Sequence, residues 1–415
     1  VCLGDAGKPM GTLTYVNEGR REYSAYAYDA AWLGDPARFE VSPDWPLVEG
    51  HQLRRAPYPE DSCFPFAIAD TSPDAWGQRV IRRAHVKRRE AGPSLPALTA
   101  FDFLAAVDDY SRVGALRLQD ARGGFLRSAD EQRTPPLIEL ERIYMASRAV
   151  EEDRETAADL AYLEGKGTSL GGLRPKCTVL EDDGSLAIGK FPSTTDERSI
   201  PRGEVLALAL ARNAGIEAAT ARVVDVDGVP IAVIRRFDRI PGAGRIPYLS
   251  AGSLLQAGRG QDRTYTELLD TLRRVSARPR EDAHELWRRL VFNLLITNVD
   301  DHLWNLGVLY VSPGQWKLAP AFDLNPFPER QRESKTWLSE QSGPITTVAQ
   351  LVGEADYFGL TPADAKSIVA HVAHATRDWR RVAVSVEVGL QESELGAFRR
   401  AFEHGEITAA QAFCA

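Results

Sequence analysis

Apolar and polar positions alternate over short distances up to about residue 125. Residues 11–15 and 23–28 are aromatic and β-branched runs separated by Asn17-Glu18-Gly19, which predicts a hairpin. Proline-rich stretches at 43–46 and 57–65 break any long helix. Pro73-Asp74 opens an arginine-rich helix over 75–90, and 113–118 reads as a strand ending before Gly123-Gly124. Pro135-Pro136 is a linker candidate. A polar-rich helical stretch over 137–163 follows, with apolar residues at 137, 140, 143 and 144.

The pattern then changes. Residues 165–176 (GKGTSLGGLRPK) form a glycine-rich loop. Apolar runs at 177–180 and 186–191 flank Glu181-Asp182-Asp183-Gly184, a second hairpin. A helix over 204–213 ends at Gly215, a plausible C-cap, and a third hairpin pairs 222–226 with 229–234 around Asp227-Gly228. Beyond Pro241 the chain turns helical, at 264–275, 281–297, 361–384 and 391–404, with one β-like insert at 306–318.

Composition narrows the options. A length of 415 residues is enough for two or three domains with cores of their own. Apolar residues at 44% and charged residues at 26% are ordinary for a soluble globular protein, and no run of 18 apolar residues offers a membrane span. No signal peptide opens the chain, and a start at Val1 reads as trimmed. Cys2, Cys63, Cys177 and Cys414 lie too far apart for a CxxC site, which fits a reducing cytosol. A net charge of -8 argues against a nucleic-acid coat. Arginine outnumbers lysine 42 to 8, yet three lysines fall between 166 and 190, and four of the six asparagines (Asn293, Asn298, Asn305, Asn325) fall in 33 residues. These two clusters mark where to look for chemistry that Arg or Asp does not supply.

The glycine loop fails both common nucleotide fingerprints. Gly165-x-Gly167 is followed by Gly171, one residue too late, and Gly167-x4-Gly172 is followed by Leu173 rather than Lys. Gly184-x4-Gly189-Lys190 has Phe191 where a Ser or Thr would hold magnesium, and it lies in a hairpin. What survives is a loop whose small residues let backbone N–H groups approach an anion, followed by Lys176 and Lys190. A solvated surface loop is the ordinary alternative.

The second constellation is sharper. An amphipathic helix carrying Leu286, Leu290, Leu294 and Leu295 stops at Asn298-x-Asp300-Asp301-His302-x-x-Asn305; a hairpin turned by Pro313-Gly314 follows, then Asp323. Phosphoryl transfer from ATP uses one carboxylate to orient or accept the substrate hydroxyl proton. An amide oxygen five residues on and a carboxylate beyond a hairpin supply the hard oxygens that Mg²⁺ prefers. The alternative is an Asn/Asp-rich turn that merely caps helices. Glu204, in the first turn of the helix after Lys190, matches the way kinases hold a strand lysine with a helix glutamate, although the helix dipole favours a Glu there too. His371 and His374 lack a third metal ligand and read as a helix-face pair; Asp108-Asp109 reads as a solvated turn. Arg79, Arg82, Arg83, Lys87, Arg88 and Arg89 give one helix a basic face, which reads as solvated.

Taken in order, Ser169-Leu-Gly-Gly-Leu-Arg-Pro-Lys176, Ile188-Gly-Lys190-Phe191, Arg236-Phe-Asp-Arg239, Asn298-x-Asp-Asp-His-x-x-Asn305 and Leu318-Ala-Pro-Ala-Phe-Asp323 resemble the signature blocks of the HipA-like kinases, toxins of bacterial type II toxin–antitoxin modules. Asp74-Ala-Trp-Gly77 and Asp109 with Val113-Gly-Ala115 resemble the family's N-terminal region. The resemblance implies an α+β, two-lobed, protein-kinase-like fold: an accessory N-terminal subdomain over 1–125, a β-rich kinase N-lobe over 126–240 and a helical C-lobe over 241–415. It implies an ATP- and Mg²⁺-dependent serine/threonine kinase acting on a protein substrate, commonly an aminoacyl-tRNA synthetase. It implies a cytoplasmic protein with no membrane partner and a helix-turn-helix antitoxin through which operator DNA is bound. Carried over by position, Asp300 is the catalytic base, and Asn305 and Asp323 hold the metal. Gly171, Gly172, Lys176, Lys190, His302 and Asn305 contact ATP. Arg235 and Phe237 line the adenine hinge, Arg235 standing where family members often carry an acidic residue. Ser169 is the regulatory autophosphorylation site. A small-molecule phosphotransferase shares the Asp-x4-Asn loop and distal Asp, and a non-enzymatic co-repressor would bind antitoxin and DNA alone; phosphate transfer to protein separates all three.

Overall fold

The structure is a computed structural model and describes residues 1–19, 21–58, 61–92, 94–127, 136–166, 174–240, 244–258 and 260–414. Two compact units divide the chain: residues 1–196, 225–249 and 258–260 form one, and residues 197–224, 250–257 and 261–415 the other. Among the described residues no helix is long and apolar enough to cross a membrane.

In the first unit, β1 (Gly11–Glu18) and β2 (Arg21–Tyr28) form the predicted hairpin, Glu18 opposite Arg21, and β3 (His51–Arg54) pairs with β2. Helix α1 (Ala75–Ala91) is capped by Asp74, whose carboxylate accepts the Gly77 N–H at 2.6 Å. The strand expected over 113–118 shrinks to Leu116–Arg117, because 111–114 is drawn into a charged network described below. The helix expected over 137–163 is two helices, α2 (Leu140–Glu151) and α3 (Ala157–Lys166). Asp153 at φ 56° ends the first, and Thr156 with Asp159 caps the second through three hydrogen bonds, a capping box legible as Thr-x-x-Asp.

Strands β4 (Lys176–Leu180), β5 (Leu186–Lys190), β6 (Ala221–Val226) and β7 (Val229–Arg235) form a sheet of order β4-β5-β7-β6. Lys190 lies opposite Lys176 on one side and Ala232 on the other, so both lysines share a sheet face. Gly189 is on the opposite face, where a Cβ would stand 3.2 Å from Leu140 of α2 and 3.5 Å from Cys177. The glycine of the near-miss motif therefore admits a helix; it does not cradle a phosphate.

In the second unit, α4 (Ile200–Asn213) starts four residues earlier than the sequence pattern suggests. Pro201 sits in its first turn, where the missing N–H has no intrahelical partner to lose. Glu204 is thus in the second turn, buried, and the helix-dipole account of it weakens. Helix α5 (Tyr265–Val275) begins with a Thr264–Glu267 capping box, and α6 (Pro279–Leu295) buries Leu286, Trp287, Leu290, Val291, Leu294 and Leu295. The helix expected over 361–384 breaks at Asp378 into α7 (Pro362–Arg377) and a short Trp379–Ala383 turn of helix. Helix α6 packs on α5 and α7. Strands β8 (Gly307–Ser312) and β9 (Gln315–Leu318) form the predicted insert. Helices α8 (Leu395–Phe402) and α9 (Gly405–Cys414) close the chain; α9 and the short helix Val348–Gly353 carried no sequence expectation.

Candidate active site

The second unit builds its polar centre where α6 stops. Thr297 takes φ 54°, and the turn is stitched by asparagines: Asn298 N–H donates to the Asn293 carbonyl at 2.8 Å, and its side-chain amide donates to Asn293 Oδ1 at 3.0 Å. Asn325 N–H donates to Asn298 Oδ1 at 3.3 Å, so Asn293 and Asn298 serve the turn and tie in the segment after Asp323. The hairpin between them is fixed at its far end by Asp282. This fully buried carboxylate accepts from Ser276 Oγ at 2.7 Å, Arg278 Nε at 3.0 Å and the Leu318 N–H at 3.0 Å. The start of α6 and the last strand before Asp323 are therefore one rigid connection.

Asp300 and Asp301 occupy different environments. The Asp300 side chain is 37% exposed and ion-pairs with Lys335 Nζ, while its backbone carbonyl accepts from Asn305 Nδ2 at 2.9 Å. Asp301 is buried; its carboxylate accepts from Tyr265 Oη at 2.6 Å and the Lys335 N–H at 2.7 Å. Burial pushes Asp301 up to about 6, against the hydrogen bonds from Tyr265 and Lys335, which pull the other way. Of the two, only Asp300 is open to a substrate. Burial also holds His302 below its ordinary value, opposed by the charges of Asp300 and Asp323 and helped by that of Lys335, so the ring is neutral near pH 7. Its Nδ1 is buried with no hydrogen-bond partner among the described residues. Asp323 sits at φ 54°, a strained conformation for a residue with a Cβ. Asn325 Nδ2 donates to Asp323 Oδ1 at 3.3 Å, and Asn325 Oδ1 is buried with no hydrogen-bond partner among the described residues.

These residues fit a hard cation. Among the described residues no group of three or more His, Cys, Asp or Glu side chains is arranged to hold a metal. Mg²⁺ does not need one: it keeps waters and takes one or two protein oxygens together with phosphate oxygens. Asp323 offers a carboxylate, Asn305 an amide oxygen whose NH₂ is already directed at the Asp300 carbonyl, and Asn325 an orphaned amide oxygen. An unpaired buried acceptor is costly, and a cation would satisfy it.

The first unit holds the other sequence-assigned residues. Ser169, Gly171 and Gly172 lie outside the described residues. Lys176 is buried, with Nζ 3.5 Å from Asp74 Oδ2, so the cap of α1 and the strand lysine share one carboxylate. Lys190 is at the end of β5 on the face away from α2. Arg235 ion-pairs with Asp183, and the Phe237 ring lies 6.2 Å from that of Tyr248. Arg174 is held by Asp196 at 2.5 and 2.7 Å.

Three side chains of the Arg236–Arg239 block, Arg236, Asp238 and Arg239, form a buried charged network. Asp238 is buried and accepts from Arg236 Nε at 2.8 Å, Arg239 Nη1 at 2.7 Å and the Gly114 N–H at 2.8 Å. Burial pushes Asp238 up, but the Arg236 and Arg239 guanidiniums outweigh it and hold the carboxyl well below the carboxylate range. Arg236 also donates to the Ser111 carbonyl at 2.5 Å and Arg239 to the Arg112 carbonyl at 2.6 Å. Gly114 needs its lack of a side chain: φ is 69° and a Cβ would meet the Tyr248 nitrogen at 3.1 Å.

Three expectations are corrected or refined. Asp108 and Asp109 are both buried, so they are not a solvated turn; Asp109 accepts from Arg117 Nε and Nη2, with the latter at 2.5 Å. The basic face of α1 is paired: Arg83 with Asp153 and Glu155, Arg88 with Glu164. His371 bonds the Asn213 carbonyl at 3.2 Å and His374 faces Arg377, consistent with a helix-face pair. Sequence reasoning passed over Lys335, Tyr265 and Asn325; only Asn325 carried a signal, as part of the asparagine cluster.

The model of the HipA-like C-terminal domain family matches residues 168–379. Two proteins of Sinorhizobium fredii are similar. "Putative kinase Y4mE" is 27% identical over 347 residues, covering 77% of this chain and 75% of that protein. "Putative kinase Y4dM" is 30% identical over 344 residues, with the same coverage of 77% and 75%. Among solved structures, a chain of the Shewanella oneidensis toxin–antitoxin complex of HipA, HipB and operator DNA superposes with a TM-score of 0.65 at 17% identity, covering 98% of this chain and 94% of that one. At that identity the likeness concerns the fold.

Proposed function

The chain belongs to the HipA-like C-terminal domain family, and on that premise we propose that it is an ATP-dependent serine/threonine protein kinase, the toxin of a type II toxin–antitoxin module. The observation that carries the reading is one half-exposed carboxylate, Asp300, whose backbone carbonyl is bonded by Asn305, with Asp300 and Asp323 both near enough to His302 to bear on its proton affinity. Asp300 receives the hydroxyl of a serine or threonine and orients or accepts its proton as the new bond to the γ-phosphorus forms and the bond from that phosphorus to the β–γ bridging oxygen breaks, with ADP as leaving group. Asp323 and Asn305 hold Mg²⁺, with the orphaned oxygen of Asn325 beside Asp323. The ion, when bound, neutralises charge on the phosphates. His302, neutral and with a buried nitrogen that no described residue bonds, suits contact with the nucleotide.

On the first unit, the phosphate loop is assigned to residues 171–176, including Gly171, Gly172 and Lys176. Lys190 is the phosphate-contacting strand lysine, and Arg235–Phe237 the adenine segment. The domain reading remains an accessory subdomain over 1–125, an N-lobe over 126–240 and a C-lobe over 241–415. The solved complex of HipA with HipB and operator DNA supports a DNA-binding antitoxin as partner. Action in the cytoplasm on a translation component, and control by autophosphorylation at Ser169, belong to the same reading.

The test is transfer of labelled phosphate. Wild-type protein with Mg·ATP is expected to label protein in a cell extract and not a panel of small hydroxyl compounds, and Asp300→Asn is expected to abolish the labelling. Label on a small compound instead of protein would overturn the protein-kinase assignment. Growth arrest on expression without antitoxin should disappear with Asp300→Asn; arrest by a demonstrably inactive variant would point to binding.

A further inference from the structure

Lys335 is one of eight lysines in a chain with 42 arginines, and it lies outside every motif quoted above. Its ammonium pairs with Asp300 Oδ1. Among the described residues no other group hydrogen-bonds that carboxylate, since Asn305 holds only the backbone carbonyl of Asp300. An exposed ion pair is ordinarily weak because two mobile side chains must be ordered to form it. Here the lysine's backbone is fixed beforehand. Its N–H donates to the buried Asp301 carboxylate at 2.7 Å. Thr336 Oγ1 donates to the Asp301 carbonyl at 2.8 Å. Ser334 Oγ donates to the Thr336 carbonyl at 2.6 Å and accepts the Ile345 N–H at 2.8 Å. Asp301 is itself pinned by Tyr265 Oη at 2.6 Å. The segment 334–336 and the loop 300–305 are thereby one hydrogen-bonded assembly, and Lys335 projects from it onto the single exposed carboxylate.

The geometry points to Lys335 as a positioning residue of the phosphoryl-transfer site: its ammonium sets the orientation of the Asp300 carboxylate that the substrate hydroxyl must meet. This rests on the kinase reading given above. A half-exposed aspartate without a partner samples several rotamers, and a misplacement of about 1 Å at the reacting group costs on the order of 10²-fold in rate. The role needs a cation of suitable reach; it does not need a lysine as such.

Steady-state kinetics of Lys335→Gln and Lys335→Arg, with thermal unfolding of each, test it. Lys335 Nζ is solvent-facing, with the side chain 52% exposed, so both variants should melt with the wild type. Lys335→Gln is expected to lower kcat on the order of 10²-fold with KM for ATP unchanged, and Lys335→Arg to recover most of the loss. In an Asp300→Asn background, Lys335→Gln should add little, because the two act as a unit. A Lys335→Gln enzyme with wild-type or higher kcat would overturn the inference, as would a loss that appears in KM for ATP alone or that Arg leaves unrepaired. A wild-type protein that transfers no phosphate would instead remove the kinase reading, and this inference with it.

Discussion

Asp300 and Asp301 are neighbours of identical chemistry, and their surroundings assign them opposite work. Asp301 is buried under Tyr265 and the Lys335 N–H, whereas Asp300 keeps more than a third of its side chain in solvent. Asp300→Asn should therefore leave the melting temperature near wild type and lower phosphoryl transfer on the order of 10²–10⁴-fold, read by single-turnover labelling. Asp301→Asn should act on stability. The Asp301 carboxyl titrates from 3.8 in the unfolded chain to about 6 when folded, so the folded protein binds this proton more tightly. Its contribution to stability is full below pH 3.8 and is lost as pH rises through about 6. Asparagine cannot ionise, so the wild type should lose on the order of 1–3 kcal/mol relative to Asp301→Asn between pH 4 and pH 7.5, read from urea midpoints. A difference that does not change with pH would show that Asp301 is not protonated on folding. The sequence carried the Asp-x4-Asn spacing but not this division of labour: Tyr265 lies 36 residues from Asp301 and Lys335 lies 35 from Asp300, and no local pattern encodes contacts at that separation.

At the level of elements, hairpins were the most legible features, because glycine-bearing turns such as Asp227-Gly228 and Pro313-Gly314 fix them locally. Helix ends were less so. The helix expected over 204–213 begins at Ile200, with Pro201 inside its first turn, and Thr156-x-x-Asp159 is a cap within a polar run. Gly189-Lys190 shows why motif matching stops short of structure. The period-2 alternation of β5 puts the glycine under α2 and the lysine on the other face, so each is needed for a different reason. Gly189→Val should force Leu140 aside and destabilise the protein by about 1–3 kcal/mol. Combined with Leu140→Ala, the cost should be well below the sum of the two single changes, because the cavity left by Leu140 receives the new side chain. Additive losses in denaturant melts would mean that β5 and α2 do not meet at this point.

On the scale of the whole molecule, the first compact unit is discontinuous in sequence: residues 225–249 return to join 1–196. The returning segment is anchored by charge. Arg236 and Arg239 reach the carbonyls of Ser111 and Arg112, and Asp238 takes the Gly114 N–H, all between residues 111 and 114. Arg245 adds a bond to the Asp109 carbonyl at 2.8 Å. A second tie runs from Asp74 to Lys176 on the strand that follows the glycine loop. The family's N-terminal block and the Arg236, Asp238 and Arg239 side chains thus tie one unit together, which leaves Arg235 and Phe237 for the adenine segment of the proposed reading. Removing one partner from a buried ion pair strands the other, at about 3–5 kcal/mol. Asp238→Ala should destabilise by that amount, with hydrogen exchange accelerating in β5 and β7 and not in α6. Among the described residues, deleting residues 1–125 removes every hydrogen-bond partner of the Arg236 guanidinium except Asp238, and it leaves Lys176 without Asp74. The remaining chain should then fail to form a protected β4-β5-β7 sheet, and should lose phosphoryl transfer even though Asp300, Asn305, Asp323 and Lys190 are all retained. A fragment over 126–415 that unfolds cooperatively and keeps transferring phosphate would show that the N-terminal region is dispensable, and that these ties are consequences of the fold and not its support.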